Sequence, residues 1–315
     1  MKGRAFHHSG AGMTDSQHRF KQVAVLKGGP SSEREVSLRS GAAVARGLRE
    51  AGYEVTEVDI QRTLNLPGTV EAVFIALHGE FGEDGQIQTL LEQRHLPYTG
   101  SSPLSSRTSF DKRLSKNMFQ RAGIPTAPFE ILGPDDHRTL PLPVVVKPPC
   151  QGSTIGVFRV MEEQDWNQAF RESLQYDGEV LVEAFIPGRE LTVGIVGETV
   201  LRPIEILAPD GWYDYKAKYS KGQSRHLCPA PLDAATEARC RTIALKTFKT
   251  LQCRGLGRAD FRLMEDGRLF VLELNNIPGF TETSLLPEAA LEAGITFPRL
   301  CEQIMEMAAL SGDER

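Results

Sequence analysis

Asp260 and Glu273 are the most chemically suggestive acidic pair in this 315-residue chain. They lie in the stretch 257–276, which reads as two strands joined at Asp266-Gly267, a dipeptide suited to tight hairpin turns. Alternation sends Phe261 and Leu263 to one face, with Phe270, Leu272 and Leu274 sharing a face on the second strand. The opposite face carries Arg258, Asp260, Arg262, Glu273 and Asn275. With Asp266 and Gly267 as the loop residues, Glu265 pairs with Arg268, Asp260 with Glu273, and Arg258 with Asn275. Opposed side chains have Cβ atoms roughly 4.5–5.5 Å apart, so two carboxylates there repel unless positive charge separates them. Mg²⁺ suits the place, because it takes oxygen ligands from one or two carboxylates together with substrate phosphates. The plainer alternative is an amphipathic hairpin with a solvated polar face.

The elements before the hairpin supply candidates for the rest of a phosphate site. Val23-Ala24-Val25-Leu26 reads as a buried parallel strand, closed by Gly28-Gly29. Ser32-Glu33-Arg34-Glu35 has the form of a capping box and predicts a helix to about Ala51. Such a βα turn places ligands beyond the strand's carboxyl end, where Glu33 can meet a substrate ammonium or serve the helix dipole. Strands at 53–58 and 72–77 follow, the latter leading to His78-Gly79; a lone His there is often structural. The Ser-rich segment 101–109, with Pro103, reads as a hinge, followed by a helix from Phe110 to Arg121 carrying Lys112. The strand 143–147 ends in Lys147, a residue rarely buried without an anionic partner. Gly152-Ser153-Thr154 then supplies a flexible loop whose N–H groups can approach phosphates. Glu183 and Glu190 flank an apolar segment, including Phe185 and Ile186, suited to a nucleoside. Residues 211–222 read as a lid, residues 233–252 as an amphipathic helix, and Thr283–Glu288 as a helix start able to bind a carboxylate.

Composition narrows the function classes. A net charge of -5 and a pI near 5.9 argue against a nucleic-acid footprint. No apolar run reaches membrane-spanning length. The five cysteines are odd in number and lack any Cys-x-x-Cys pair, which suits reduced thiols in a cytoplasm. Residues 1–20 are expected to form a disordered tail, with Met13 as a candidate natural start.

Taken in order, these motifs resemble the D-alanine–D-alanine ligase family of the ATP-grasp superfamily, over residues 22–308. The resemblance rests on Gly28-Gly29 through Leu38, His78-Gly79 with Gly82-Glu83-Asp84-Gly85, Asp111-Lys112, Lys147-Pro148, Tyr213-Asp214-Tyr215, Lys218-Tyr219, Gly257–Asn275 and Pro278-Gly279 through Leu285. It implies an α/β chain: a Rossmann-like βαβ domain over 21–108, then a two-part ATP-grasp fold of α+β character over 109–200 and 201–315. It also implies that two D-alanines are joined through an acyl phosphate for peptidoglycan precursors, with ATP and two Mg²⁺ (or Mn²⁺). Glu33 would hold the first D-alanine's ammonium, with His78 near its carboxylate. Lys112, Lys147 and Ser153 would meet phosphates, Glu183 and Glu190 the nucleoside, and Lys218 the γ-phosphate, beside Tyr219. Asp260, Glu273 and Asn275 would hold metal, Arg258 and the Gly279 amide an oxyanion, and Ser284 with the Leu285 amide the second carboxylate. Tyr219 favours D-alanine over D-lactate as acceptor. Pro149-Cys150-Gln151, Asn276, Phe280 and Thr283 depart from the usual pattern. The alternatives are a ligase taking another acceptor, such as D-serine, and a nucleotide-binding protein without ligase activity. A homodimer is implied by the resemblance alone.

Overall fold

The computed structural model describes residues 18–207, 225–281 and 283–313. The first strand, β1 (Gln22–Gly28), is followed by α1 (Arg34–Glu50), β2 (Glu54–Ile60) and β3 (Ala72–Ile75). The three strands form a parallel sheet in the order β2-β1-β3. Both faces of β1 are buried, because Val23 and Val25 enter one core and Ala24 and Leu26 another. That double burial explains the unbroken apolar run. Residues 18–20, expected within the tail, are packed instead: Phe20 is buried and His18 stacks on Tyr53 with ring centroids 4.1 Å apart.

Helices α2 (Gln86–Gln93), α3 (Pro103–Phe110) and α4 (Lys112–Arg121) lead to a second sheet. The expected hinge at 101–109 is in fact α3. Ser102 caps it, Pro103 sits at its start, and Ser105 Oγ donates to the Leu251 carbonyl at 2.7 Å. The second sheet runs β4-β7-β5-β6, built from β4 (Phe129–Leu132), β5 (Val144–Lys147), β6 (Phe158–Val160) and β7 (Val180–Ala184). α5 (Glu163–Asp177) covers it through Ala169 and its neighbours.

The third sheet contains β8 (Arg189–Val196), β10 (Ile204–Leu207), β11 (Arg225–Leu227), β12 (Leu256–Leu263) and β13 (Leu269–Asn275), with β9 (Thr199–Val200) paired to β8. α6 (Ala234–Thr250) packs on one face through Cys240, Ala244 and Phe248. α7 (Leu285–Glu292) and α8 (Phe297–Glu306) join this sheet to α1 in a common core. No helix among the described residues is long and apolar enough to cross a membrane.

Candidate active site

The hairpin has the expected register at its functional end, but for a different reason. Gly267 N–H donates to Met264 O at 3.0 Å and Met264 N–H to Arg268 O at 2.9 Å. The loop is therefore Glu265-Asp266-Gly267, with Gly267 left-handed at φ +82°. This displaces the pairing by one residue, giving Phe261 opposite Val271. A bulge that leaves Leu272 unpaired restores it, so Asp260 faces Glu273 and Arg258 faces Asn275. The bulge also corrects the expected alternation. Leu269, Val271 and Leu274 enter the core, whereas Leu272 turns toward a cleft beside Glu273.

Asp260 is held by three neighbouring side chains. Arg258 donates to both its oxygens at 2.9 and 2.8 Å, Thr192 Oγ1 lies 2.6 Å away, and Asn275 Nδ2 donates at 2.9 Å. Thr192 lies directly across the ladder from Asp260 on β8, a position the sequence reading did not single out. Glu273 has Lys112 Nζ at 3.5 Å. The two carboxylates are thus neutralised by a cation each. Their oxygens, with the Asn275 carboxamide, form the hard donor set that Mg²⁺ requires, and the residues present fit such an ion.

The cleft above this face is lined by Lys112, Lys147, Phe185, Ile186, Glu190 and Leu272, among others. Lys112 Nζ donates to Gln151 O at 2.8 Å, which ties the start of α4 to the glycine-rich loop. Glu190 is bonded to Arg262 at 2.9 Å. Glu183 is buried and shares its carboxylate between Lys147 and Lys116. Burial alone would raise the Glu183 carboxyl, but the two ammoniums outweigh it and hold it below the usual range. Lys116 was missed in sequence, although its spacing four residues after Lys112 puts both on one helix face. Burial pushes its ammonium down to about 8.

A second cleft is lined by Glu33, His78, Arg258, Gly279, Ser284 and Leu285, among others. The expected capping box does not form. α1 begins at Arg34, its preceding Glu33 makes no side-chain cap, and the Glu33 carboxylate instead accepts from Ser153 Oγ. Gly152 lies close beside it: a Cβ there would come within 2.5 Å of Glu33 Oε2 and force that carboxylate to shift. His78 is 4% exposed, with Nε2 3.0 Å from Ser40 Oγ and Nδ1 3.6 Å from Glu83 Oε1. Burial raises the Glu83 carboxyl, and the charge of Glu33 adds to this against the pull of His78. Ser284 precedes α7, where Oγ accepts from Thr281 N–H at 2.9 Å. A Cβ at Gly279 would lie 2.8 Å from that Oγ.

Gly152, Ser153 and Glu273 line both clefts, which therefore meet. Phe280 points away from them: it is fully buried, edge-on to Phe74 at 5.4 Å. Asn276 is buried too, with its Nδ2 donating to Glu83 O and to Ser109 Oγ at 2.9 and 2.8 Å. Lys218, Tyr219 and the lid 211–222 lie outside the described residues.

Known proteins share this sequence and shape. The family profile described as "D-ala D-ala ligase C-terminus" matches residues 118–306, and "D-ala D-ala ligase N-terminus" matches 63–101. The D-alanine–D-alanine ligase of Methylacidiphilum infernorum is 46% identical over 293 residues, 92% of this chain and 96% of that protein. That of Syntrophotalea carbinolica is 45% identical over 296 residues, 92% of this chain and 97% of its own. Among solved structures, VanG D-Ala:D-Ser ligase from Enterococcus faecalis superposes with a TM-score of 0.82 at 28% identity, covering 92% of this chain and 99% of its own. The D-alanine–D-alanine ligase from Coxiella burnetii gives 0.81 at 26% identity, covering 92% and 94%. The two clefts and their acidic hairpin accordingly sit in an ATP-grasp fold, and the chain belongs to the D-alanine–D-alanine ligase family.

Proposed function

We propose that this protein joins two D-alanines into D-alanyl-D-alanine, a peptidoglycan precursor, with ATP cleaved to ADP and phosphate. The observation that carries the reading is the junction of the two clefts at Ser153 and Glu273. One cleft has cations and an apolar wall suited to a nucleotide; the other has Glu33 and His78, suited to an amino acid. A carboxylate in the second cleft would thus lie beside a phosphate in the first.

In the reaction, the first D-alanine's carboxylate attacks the γ-phosphate, giving an acyl phosphate and ADP. The second D-alanine's amine then attacks the acyl carbon, and phosphate leaves. Glu33 binds the first ammonium, and Ser153 holds the Glu33 carboxylate in place. Lys112 and Lys147 receive the phosphates, Phe185 and Ile186 the base, and Glu190 the ribose. Arg258 and the Gly279 N–H meet the tetrahedral oxyanion, and Ser284 and the Leu285 N–H meet the second carboxylate. Lys218 and Tyr219 act on the γ-phosphate side. Asp260, Glu273 and Asn275 would hold two Mg²⁺, or Mn²⁺, which when bound offset the charge of the phosphates. Catalysis is then mainly positioning and preorganised electrostatics. Free thiols at all five cysteines are consistent with cytoplasmic work, and a homodimer is the proposed assembly.

The test is incubation with ATP, Mg²⁺ and D-alanine, reading released phosphate and product mass, with L-alanine, D-serine and D-lactate as second substrates. D-Alanyl-D-alanine from D-alanine alone supports the reading. A mixed product formed in preference points to the D-serine alternative, and no product with any acceptor sinks the ligase reading.

A further inference from the structure

One hydroxyl connects the two halves of the substrate cleft. Ser40 lies on α1, outside every motif assigned a role, and it is fully buried. Its Oγ is 3.0 Å from His78 Nε2, at the first-substrate end. The same Oγ accepts the Phe280 backbone N–H at 3.2 Å, one residue beyond Gly279. Ser40 makes no third hydrogen bond among the described residues.

Proton counting then fixes the direction of the bond. A serine hydroxyl has one proton and two lone pairs. Phe280 N–H occupies one lone pair. If His78 donated from Nε2, it would fill the second, and the hydroxyl proton would be buried without an acceptor. Buried donors are almost always satisfied. The arrangement that satisfies every group has Ser40 donating to Nε2, which leaves the proton of neutral His78 on Nδ1. Nδ1 is the ring nitrogen that faces Glu83 Oε1 at 3.6 Å, and both residues line the substrate cleft.

We propose that Ser40 is a positioning residue for the ligation: it holds His78 in the Nδ1–H form, as a donor toward the first D-alanine's carboxylate, and anchors the Gly279–Phe280 turn with the same oxygen. The substrate role of His78 rests on the ligase reading; its protonation site does not. The hydroxyl's value lies in being bonded on both sides at once, so that the first-substrate donor and the turn carrying the oxyanion amide share one fixed point.

The experiment has two independent readouts. Nitrogen-15 NMR of histidine-labelled protein, with H78N to identify the signal, reports the His78 tautomer whether or not the protein is active. The expected result is Nδ1–H in the wild type and Nε2–H in Ser40→Ala. Steady-state kinetics of Ser40→Ala should show the KM for the first D-alanine raised about tenfold, the worth of one oriented hydrogen bond, with the KM for ATP within about twofold. Nε2–H in the wild type overturns the proposal, and so does a Ser40→Ala enzyme with an unaltered tautomer and first-site KM. If Ser40→Ala does not fold, the wild-type spectrum alone decides. An Nδ1–H signal in a protein without ligase activity would instead leave the tautomer standing and remove the ligase reading.

Discussion

Lys116→Met and Glu183→Gln alter the same buried cluster and should behave very differently. Lys116 is 0% exposed and Glu183 3% exposed, and Glu183 holds Lys116 and Lys147 together. Burial lowers the Lys116 ammonium to about 8; Glu183 and, more weakly, Glu273 pull it up while Lys147 pushes it down. Against the ordinary value of 10.5, that shift corresponds to about 3 kcal/mol of cost for carrying the charge, at about 1.4 kcal/mol per pH unit. The unfolded chain binds more protons than the folded one between pH 8 and 10.5, so this cost is fully present below pH 8 and is relieved as pH rises through that window. Lys116→Met removes the cost and leaves Lys147 and Glu183 as a balanced pair. Glu183→Gln leaves two buried ammoniums with no counter-charge between them, a change worth about 3–5 kcal/mol. Thermal unfolding at pH 7 should therefore show Glu183→Gln lowered by roughly 10 °C, at about 2–4 °C per kcal/mol, with Lys116→Met changed by only a few degrees. Repeated from pH 7 to 10, the wild type should gain stability relative to Lys116→Met above pH 8. Equal destabilisation of the two variants at pH 7, or parallel pH profiles for wild type and Lys116→Met, would refute this account of the cluster.

Asp260→Asn should lower turnover by about 10²–10³ or more, because it removes charge from the donor set and from the Arg258 fork; phosphate release measured across Mg²⁺ concentrations checks this, and full activity refutes the metal assignment. Gly279→Ala places a Cβ 2.8 Å from Ser284 Oγ, so kcat should fall about 10- to 100-fold with little change in melting temperature; an unchanged kcat would show that the turn can yield without consequence. Burial pushes the Cys150, Cys228 and Cys240 thiols up to about 11 and Cys301 up to about 12. A thiol reagent at pH 8 should therefore label the folded protein slowly and label all five cysteines only after unfolding. Fast stoichiometric labelling of the folded protein would contradict this. Because these thiols titrate near 9 when unfolded, the stability they contribute is present below pH 9 and declines toward pH 11, opposite in sense to Lys116.

Much of the site was legible in the chain because it depends on short-range rules. The parallel strand β1 follows from an apolar run ended by Gly28-Gly29, and the polar face of β12 from the alternation of Arg258, Asp260 and Arg262. The Asp260–Glu273 pairing was legible too, though only because a three-residue loop and a bulge at Leu272 displace the register by one residue each and cancel. Their cancellation is a tertiary outcome: the bulge lets Leu274 enter the core while Leu272 reaches the cleft, and no local pattern marks the extra residue. Ser32-Glu33-Arg34-Glu35 satisfied a capping pattern, yet Glu33 turns to Ser153, more than a hundred residues away in sequence. Serine-rich 101–109 satisfied a hinge pattern, yet packing makes it a helix. The same holds for Lys116 and Ser40, whose types are unremarkable in sequence and whose roles come from burial. A lysine acquires a perturbed charge, and a serine a directed proton, only when folding removes water and leaves specific partners in its place.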